Sequence, residues 1–205
     1  MSVFYEEIKG IFRLCVPFEK IYTSVFFVRT EEGNILVDCA TTAEDVDTVI
    51  CPALRKLGYP LRSLRALVLT HRHSDHAGGL SRIRALAPDL PVRTEVGTRI
   101  GALEIYSMKG HTEDSVGVYD ARTHTLISGD GLQGAGIDRY PCYTQNRAAY
   151  IETLERIKKD EKIQNILFSH AYEPWKNNRA EGREEVLARL RACEEIFKKQ
   201  IGETV

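Results

Sequence analysis

A chain of 205 residues, 43% of them hydrophobic, is long enough to bury a core of its own, and one compact domain over residues 1–205 is expected. Lysine and arginine (28) nearly balance aspartate and glutamate (29), for a formal net charge of −1, which excludes a large basic face and makes nucleic acid an unexpected partner. Five scattered cysteines (Cys15, Cys39, Cys51, Cys142, Cys193) have no zinc-finger or C-x-x-C spacing, residues 1–7 show no leader pattern and no apolar run reaches membrane-spanning length, so a cytoplasmic protein with reduced thiols and no membrane contact is expected.

In chain order, residues up to Thr30 read as strands: residues 11–17 alternate in part, and residues 22–28 are β-branched and aromatic. Glu31-Glu32-Gly33-Asn34 is a turn into a paired strand over residues 35–38. Thr41-Thr42-Ala43-Glu44 has capping-box spacing and predicts a helix to about Leu57, with Val46, Val49, Ile50 and Leu54 at helical intervals, ended by Gly58-Tyr59-Pro60. The apolar run Ala66-Leu67-Val68-Leu69 is too short for a helix and reads as a buried strand, with a helix following from Leu80. Asp89-Leu90-Pro91-Val92 begins a second small strand region.

Residues 103–108 alternate and lead to Gly110-His111-Thr112. Residues 115–120 pair through the turn 121–124 with residues 125–128, which lead to Asp130. The stretch from Gly131 to Tyr143, with Pro141 and several glycines, reads as an irregular loop fit to wall a pocket. A helix from about Asn146 to Lys159 places Ile151, Leu154 and Ile157 on one face, and residues 163–168 form the last predicted strand, leading to Ser169-His170. Asn178-Arg179-Ala180-Glu181 is expected to cap a final helix with Val186, Leu187, Leu190, Cys193, Ile196 and Phe197 inward. The alternation of strands and helices gives an α/β class.

The chemistry concentrates in Thr70-His71-Arg72-His73-Ser74-Asp75-His76-Ala77-Gly78-Gly79, at the end of the apolar strand. Loops after strand ends are where α/β folds carry function. Neutral imidazole suits zinc, iron or manganese, and carboxylates complete such sites. Alternate residues of an extended stretch point the same way, so His71 and His73 can reach one metal ion, while Asp75 and His76, past the turn, can face a second position. The two glycines allow close backbone approach and a sharp entry to the next helix.

This motif resembles the T-H-x-H-x-D-H-x-G-G signature of the metallo-β-lactamase-fold superfamily at every fixed position, and Gly110-His111-Thr112, Ser128-Gly129-Asp130 and Ser169-His170 resemble its later landmarks in order. The resemblance covers roughly residues 22–175, and His124 alone among the six histidines is left outside it. It implies a four-layer αββα sandwich. Carried over position by position, it implies that His71, His73 and His111 bind one metal, that Asp75, His76 and His170 bind a second, and that Asp130 bridges both. Asp38 and Glu173 are candidate partners behind the imidazoles. Tyr22, Tyr143, Tyr172 and Trp175 are candidate pocket aromatics, Arg72 and Ser74 fill the variable slots of the motif, and Cys39 and Cys142 are expected to be inert.

The implied cofactors are two divalent ions, zinc first, with manganese or iron as alternatives. Two such ions about 3.5–4 Å apart hold a bridging water and lower its pKa towards neutral. The implied reaction is hydrolysis of an ester, lactone or thioester carbonyl of a small molecule by that hydroxide, with Asp75 orienting it. The branch most similar is the compact glyoxalase II-like one. With 35 residues after His170, enough for one long helix, a glutathione thioester is not the expected substrate. The alternative is an oxidoreductase resembling the persulfide dioxygenases, with one iron bound by two histidines and an aspartate.

Overall fold

The computed structural model describes residues 3–18, 20–134, 136–137, 140–141, 143–172 and 176–200. Glu173, Trp175 and Cys142, singled out above, lie outside the described residues. Two six-stranded sheets and their helices give the mixed α/β architecture expected. The chain divides into two compact units, Met1–Ala102 and Leu103–Val205.

In the first unit, β1 (Tyr5–Ile8), β2 (Ile11–Phe18), β3 (Ile21–Val28), β4 (Ile35–Val37), β5 (Ala66–Val68) and β6 (Val92–Arg93) lie side by side in chain order. Neighbours β1 to β4 pair antiparallel, whereas β4 with β5 and β5 with β6 pair parallel. A parallel partner needs a crossover, and the helical stretch between β4 and β5 supplies it. There α1 (Ala43–Asp45) runs on through a π segment (Val46–Ile50) into α2 (Cys51–Lys56).

Two details of that stretch differ from expectation. The capping box is shifted by one residue: Thr42 Oγ1 accepts from Asp45 N–H (3.0 Å), and Asp45 Oδ2 accepts from Thr42 N–H (2.9 Å). Aspartate with a reach of one methylene fewer than glutamate still closes the box, which a search for Glu or Gln passes over. The helix is also not regular, because Pro52 stands in the first turn of α2 and has no N–H to give the preceding turn. The π segment directly before it accommodates that gap. Val46, Ile50, Ala53 and Leu54 are buried here, with Leu36, Leu67 and Phe27 of the sheet and Ile83 of α4 (Leu80–Leu86) in the same core. Full burial of each such Val, Leu, Ile or Phe side chain stabilises by about 1.5–3 kcal/mol before entropy is charged.

The second unit carries β8 (Leu103–Ser107), β9 (Val116–Asp120), β10 (Thr125–Ile127), β13 (Asn165–Leu167) and β14 (Arg179–Glu181), in the order β14-β13-β10-β9-β8; the two-residue β7 (Arg99–Ile100) falls in the first unit, just before the boundary between the units. A small hairpin of β11 (Gly136–Ile137) and β12 (Tyr140–Pro141) falls inside the segment expected to be irregular throughout. The residues expected to cap the last helix instead form β14, antiparallel to β13 with Ala180 opposite Ile166 and fully buried. An alternating exposed-buried-exposed triplet suits an edge strand, and α6 begins later, at Arg183 (Arg183–Gln200). Residues 163–168 are therefore not the last strand. Helix α5 (Arg147–Lys159) buries Tyr150, Thr153, Leu154 and Ile157, and α6 buries Val186, Arg189, Leu190, Cys193 and Phe197, both with the i, i+3, i+4, i+7 spacing of one apolar stripe. Ile151 is only partly buried, its place on the stripe taken by Tyr150. No helix among the described residues is long and apolar enough to cross a membrane.

Candidate metal centre

In the first unit the parallel pair β4–β5 ends at Val37 and Val68, which face each other in register. Two segments therefore leave the sheet side by side. Asp38 follows β4 with φ 65° and an N–H bonded to the Val68 carbonyl (2.9 Å). Its carboxylate is fully buried and takes up two neighbours from the other segment: Thr70 N–H donates to Oδ1 (2.8 Å) and Thr70 Oγ1 donates to Oδ2 (2.9 Å). His76 Nδ1 lies 2.7 Å from Asp38 Oδ2. An ionised carboxylate only accepts, so Nδ1 of His76 carries the hydrogen and Nε2 keeps its lone pair. Thr70 has spent its hydroxyl proton on Asp38, so at 3.1 Å it accepts from His71 Nδ1, and His71 Nε2 is left as a donor atom as well.

His73 is extended (φ −62°, ψ 150°) and starts the single turn α3 (Ser74–Ala77), which carries Asp75 and His76. The ring centroid of His71 is 4.7 Å from that of His73 and 4.2 Å from that of His76. Ligand atoms of His71 and His73, of His71 and His76, and of Asp75 and His76 fall within 4.8 Å of each other. Thr23 on β3 donates to Asp75 Oδ2 (3.1 Å), and that same oxygen is 3.2 Å from His76 Nε2. Gly78 and Gly79 are right-handed and are needed for space: a Cβ on Gly78 would stand 1.9 Å from the Thr41 carbonyl oxygen, and one on Gly79 2.2 Å from that of Cys39. Arg72 and Ser74 are exposed.

In the second unit β8 leads to Gly110 (φ 135°), whose missing side chain admits the Tyr150 backbone: a Cβ there would meet Tyr150 Cα at 2.5 Å. His111 follows, 3% exposed. The start of α5 is tied to this segment, with Asn146 N–H donating to Gly110 O (3.0 Å) and Gln145 N–H to His111 O (3.2 Å). His111 Nδ1 is 2.7 Å from the Tyr143 carbonyl oxygen and 2.9 Å from Gln133 Nε2. The carbonyl can only accept and is the closer, so the hydrogen lies on Nδ1 and the lone pair on Nε2, and the Gln133 amide nitrogen, also a donor, makes no hydrogen bond to Nδ1 in that tautomer.

The parallel pair β10–β13 delivers the other two residues, Asp130 after Gly129 (φ 55°) and His170 after Ser169. Asp130 Oδ1 is 3.3 Å from His170 Nε2 and Asp130 Oδ2 is 3.8 Å from His111 Nε2, with all three residues buried. Gln133, 4% exposed, accepts from Tyr143 N–H at Oε1 (2.9 Å) and points Nε2 at Asp130 Oδ2 (3.5 Å).

Each expected site residue thus stands at the strand end from which it was expected, in its own unit. Asp38, one of two acids expected behind the imidazoles, takes that place. Thr23, Thr70 and Gln133 were not singled out; only Thr70, inside the motif, left a signal. Of the aromatics, Tyr143 is 51% exposed with its ring edge-on to His111, and Tyr172 is 7% exposed with its ring edge-on to His170. Tyr22 is half-buried on β3. His124 closes the β9–β10 turn and meets Tyr119 Oη (3.2 Å), away from this chemistry in sequence and role. Cys39 is buried, and burial followed by the Asp38 charge pushes its thiol up to about 12, which keeps it neutral and unreactive.

The donor set fits divalent metal ions. His76 Nε2 and Asp75 Oδ2 are both lone-pair atoms once Nδ1 is committed to Asp38, and they face each other at 3.2 Å. Two acceptors at that separation repel unless a proton or a cation lies with them.

Comparison with known proteins agrees. The model of the metallo-beta-lactamase superfamily matches residues 20–96. The hydroxyacylglutathione hydrolase of Haemophilus ducreyi is 27% identical over 126 residues, 54% of this chain and 52% of that protein. That of Legionella pneumophila strain Lens is 22% identical over 184 residues, 77% of this chain and 70% of that protein. The chain thus spans between about half and 70% of the length of these relatives. Among solved structures, a metallo-beta-lactamase from Erythrobacter litoralis superposes with a TM-score of 0.68 at 21% identity, covering 95% of this chain and 96% of that one. Motif, matched region, relatives and fold all support the metallo-β-lactamase-fold superfamily.

Proposed function

We propose that this protein is a metal-dependent hydrolase that cleaves an ester, lactone or thioester of a small molecule, and that its two units work as one domain around two divalent ions, zinc first, with manganese or iron as alternatives. His71, His73 and His111 would hold one ion, Asp75, His76 and His170 the other, and Asp130 both. Its thiols being free among the described residues suits a reducing compartment such as the cytoplasm.

The observation that carries this reading is the fixed tautomers. Hydrogen bonds to Asp38, Thr70 and the Tyr143 carbonyl commit Nδ1 of His76, His71 and His111, and turn each Nε2 towards metal binding. Bound divalent ions supply Lewis acidity, making water a nucleophile near neutral pH and polarising a carbonyl oxygen. The chain's own residues do the rest. Asp38 and Thr70 hold the imidazoles in one tautomer, so no proton has to leave Nε2 before a ligand bond can form. Thr23 pins Oδ2 of Asp75, and the Asp75 carboxylate would orient the attacking water and take its proton. The named activity of the Haemophilus and Legionella relatives supports acyl-group hydrolysis as the class.

Metal content per chain, by elemental analysis of protein purified without added metal or chelator, tests the reading. About two zinc or manganese ions per chain, with turnover of members of an ester, lactone and thioester panel, is the expected result. One iron per chain, with oxygen consumed in the presence of a persulfide, would replace the hydrolase by the dioxygenase reading.

A further inference from the structure

The first unit has a second concave site that the hydrolase reading does not use. A cavity of about 340 Å³ opens at the outer edge of the first sheet, where β6 is the terminal strand. Arg65, Arg93 and Arg99 line it, with Glu32, Thr98 and Gly101. Three guanidinium groups and one carboxylate line this cavity, in a chain whose net charge is −1.

The walls are built. Arg65 directly precedes β5, its N–H donates to Asn34 O (2.7 Å), and its stem lies along Gly33, where a Cβ would stand 2.9 Å from Arg65 Cβ. Gly33 has φ 123° and could not readily be another residue. Across the site, Gly101 (φ 58°) leaves room for the Glu32 carboxylate, which a Cβ would meet at 2.1 Å. Arg65 and Arg93 form no ion pair among the described residues. The acid nearest Arg93 in sequence, Glu95, turns its carboxylate back onto Thr94 N–H (3.2 Å). The site also lies at the start of β5, whereas His71 and His73 follow its far end.

We infer that this arginine-lined cavity is a binding site for a doubly charged oxyanion group, a phosphate ester or pyrophosphate carried by a small molecule. Guanidinium is the side chain suited to it: always charged, weakly hydrated, and forked to grip two oxygens at once. The guanidinium groups of Arg65 and Arg93, neither held in an ion pair among the described residues, suit the two charges of a phosphate dianion. The volume exceeds one phosphate group and falls at the lower end of small-molecule sites, about 300–1,000 Å³. Glu32 on the rim disfavours long polyanions that would pass over it and favours a compact ligand.

The test uses the full-length protein as purified, with arginine Nε–Hε resonances followed by NMR while inorganic phosphate, pyrophosphate or AMP is added, and sodium chloride at matched ionic strength as control. Saturable shifts of Arg65, Arg93 and Arg99 with pyrophosphate or AMP, absent with chloride, are expected. Arg65→Gln and Arg93→Gln should each weaken binding at least tenfold, while Arg84→Gln, on α4, leaves it unchanged. These are exposed surface positions, and circular dichroism checks that each variant folds. A response to inorganic phosphate equal to that to AMP would identify the free anion as ligand, and a stronger one to AMP an ester. Absence of saturable shifts, equal affinity in the Arg65 and Arg93 variants, or shifts confined to histidine ring resonances would each overturn the inference.

Discussion

Two of the parallel strand pairs, β4–β5 and β10–β13, are built alike and end differently. In the first, Ile35, Leu36 and Val37 face Ala66, Leu67 and Val68; in the second, Thr125, Leu126 and Ile127 face Asn165, Ile166 and Leu167. Each ladder closes with one further bond, from Asp38 N–H to Val68 O (2.9 Å) and from Ser128 N–H to Leu167 O (3.0 Å). Asp38 and Ser128 therefore hold the same rank, and Thr70-His71 holds the rank of Ser169-His170. The difference is where the acid stands. Asp38 sits at the strand end itself, turned by its own positive φ into the buried space behind His76. In the second unit that place belongs to Ser128, whose hydroxyl donates to backbone carbonyls, and the acid comes two residues later, past left-handed Gly129. Asp130 then faces the Nε2 atoms of His170 and His111. An acid flush with the strand supports an imidazole from behind; an acid beyond a glycine turn faces imidazole Nε2 atoms.

The largest effect should come from removing donors. Asp130→Ala or His73→Ala is expected to reduce hydrolysis to background and to lower metal content, while urea unfolding shows a folded protein. Full activity in either variant would sink the site assignment. The next contrast sets Asp38 against Ser128. Asp38→Asn keeps a residue that tolerates positive φ but removes the charge behind His76, and should cost about 10–100-fold in metal affinity or activity. Ser128→Ala, at the equivalent rank, removes hydroxyl bonds to backbone only, and should cost about 0.5–1.5 kcal/mol of stability with metal affinity intact. Equal effects on metal affinity, read by chelator competition, would erase the distinction between the two strand ends.

This contrast also shows what the sequence could carry. His71, His73, Asp75 and His76 are legible because they crowd into one short stretch after an apolar run. His111, Asp130 and His170 are legible from their order after strands. The role of Asp38 is harder to read, since its partners lie 32 and 38 residues away and nothing local distinguishes it from a turn acid. Gln133 and Thr23 are invisible for the same reason: their partners are set by sheet register and loop path, not by spacing. The misread cap at residues 178–181 has a different cause. A three-residue edge strand has too little periodicity to compete with a capping signature, and only its pairing with β13 reveals it.

Two glycines sharpen the comparison at the level of packing. A Cβ on Gly78, beside the motif histidines of the first unit, would stand 1.9 Å from the Thr41 carbonyl oxygen, and one on Gly131, beside Asp130, would stand 2.5 Å from Met108 Cβ. Met108 Cβ, like the Thr41 carbonyl, moves only with its backbone, so the closer approach at Gly78 sets the order. Gly131→Ala should therefore fall within the about 1–3 kcal/mol typical of overpacking, and Gly78→Ala at or beyond its upper end. Urea midpoints at constant m-value measure both, and the reverse order would mean that the Gly78 turn shifts freely.

The smallest effect concerns Cys39, next to Asp38 in a turn that has no thiol at the matching place in the second unit. Its Sγ–H donates to His76 O (3.3 Å), and burial followed by the Asp38 charge raises its pKa from 9.0 to about 12. The unfolded thiol ionises from about pH 9 and the folded one does not until about 12. This contribution to stability is therefore whole below pH 9 and lost as pH rises through 9 towards 12. At pH 8 an alkylating reagent with peptide mapping should modify half-buried Cys15 and leave Cys39 untouched until urea is added. Cys39→Ser should keep hydrolysis and cost at most about 0.5–1.5 kcal/mol, the worth of one hydrogen bond. Loss of hydrolysis in that variant, with metal content unchanged, would mean that the first unit's turn supplies a reacting group and not only the support for His76.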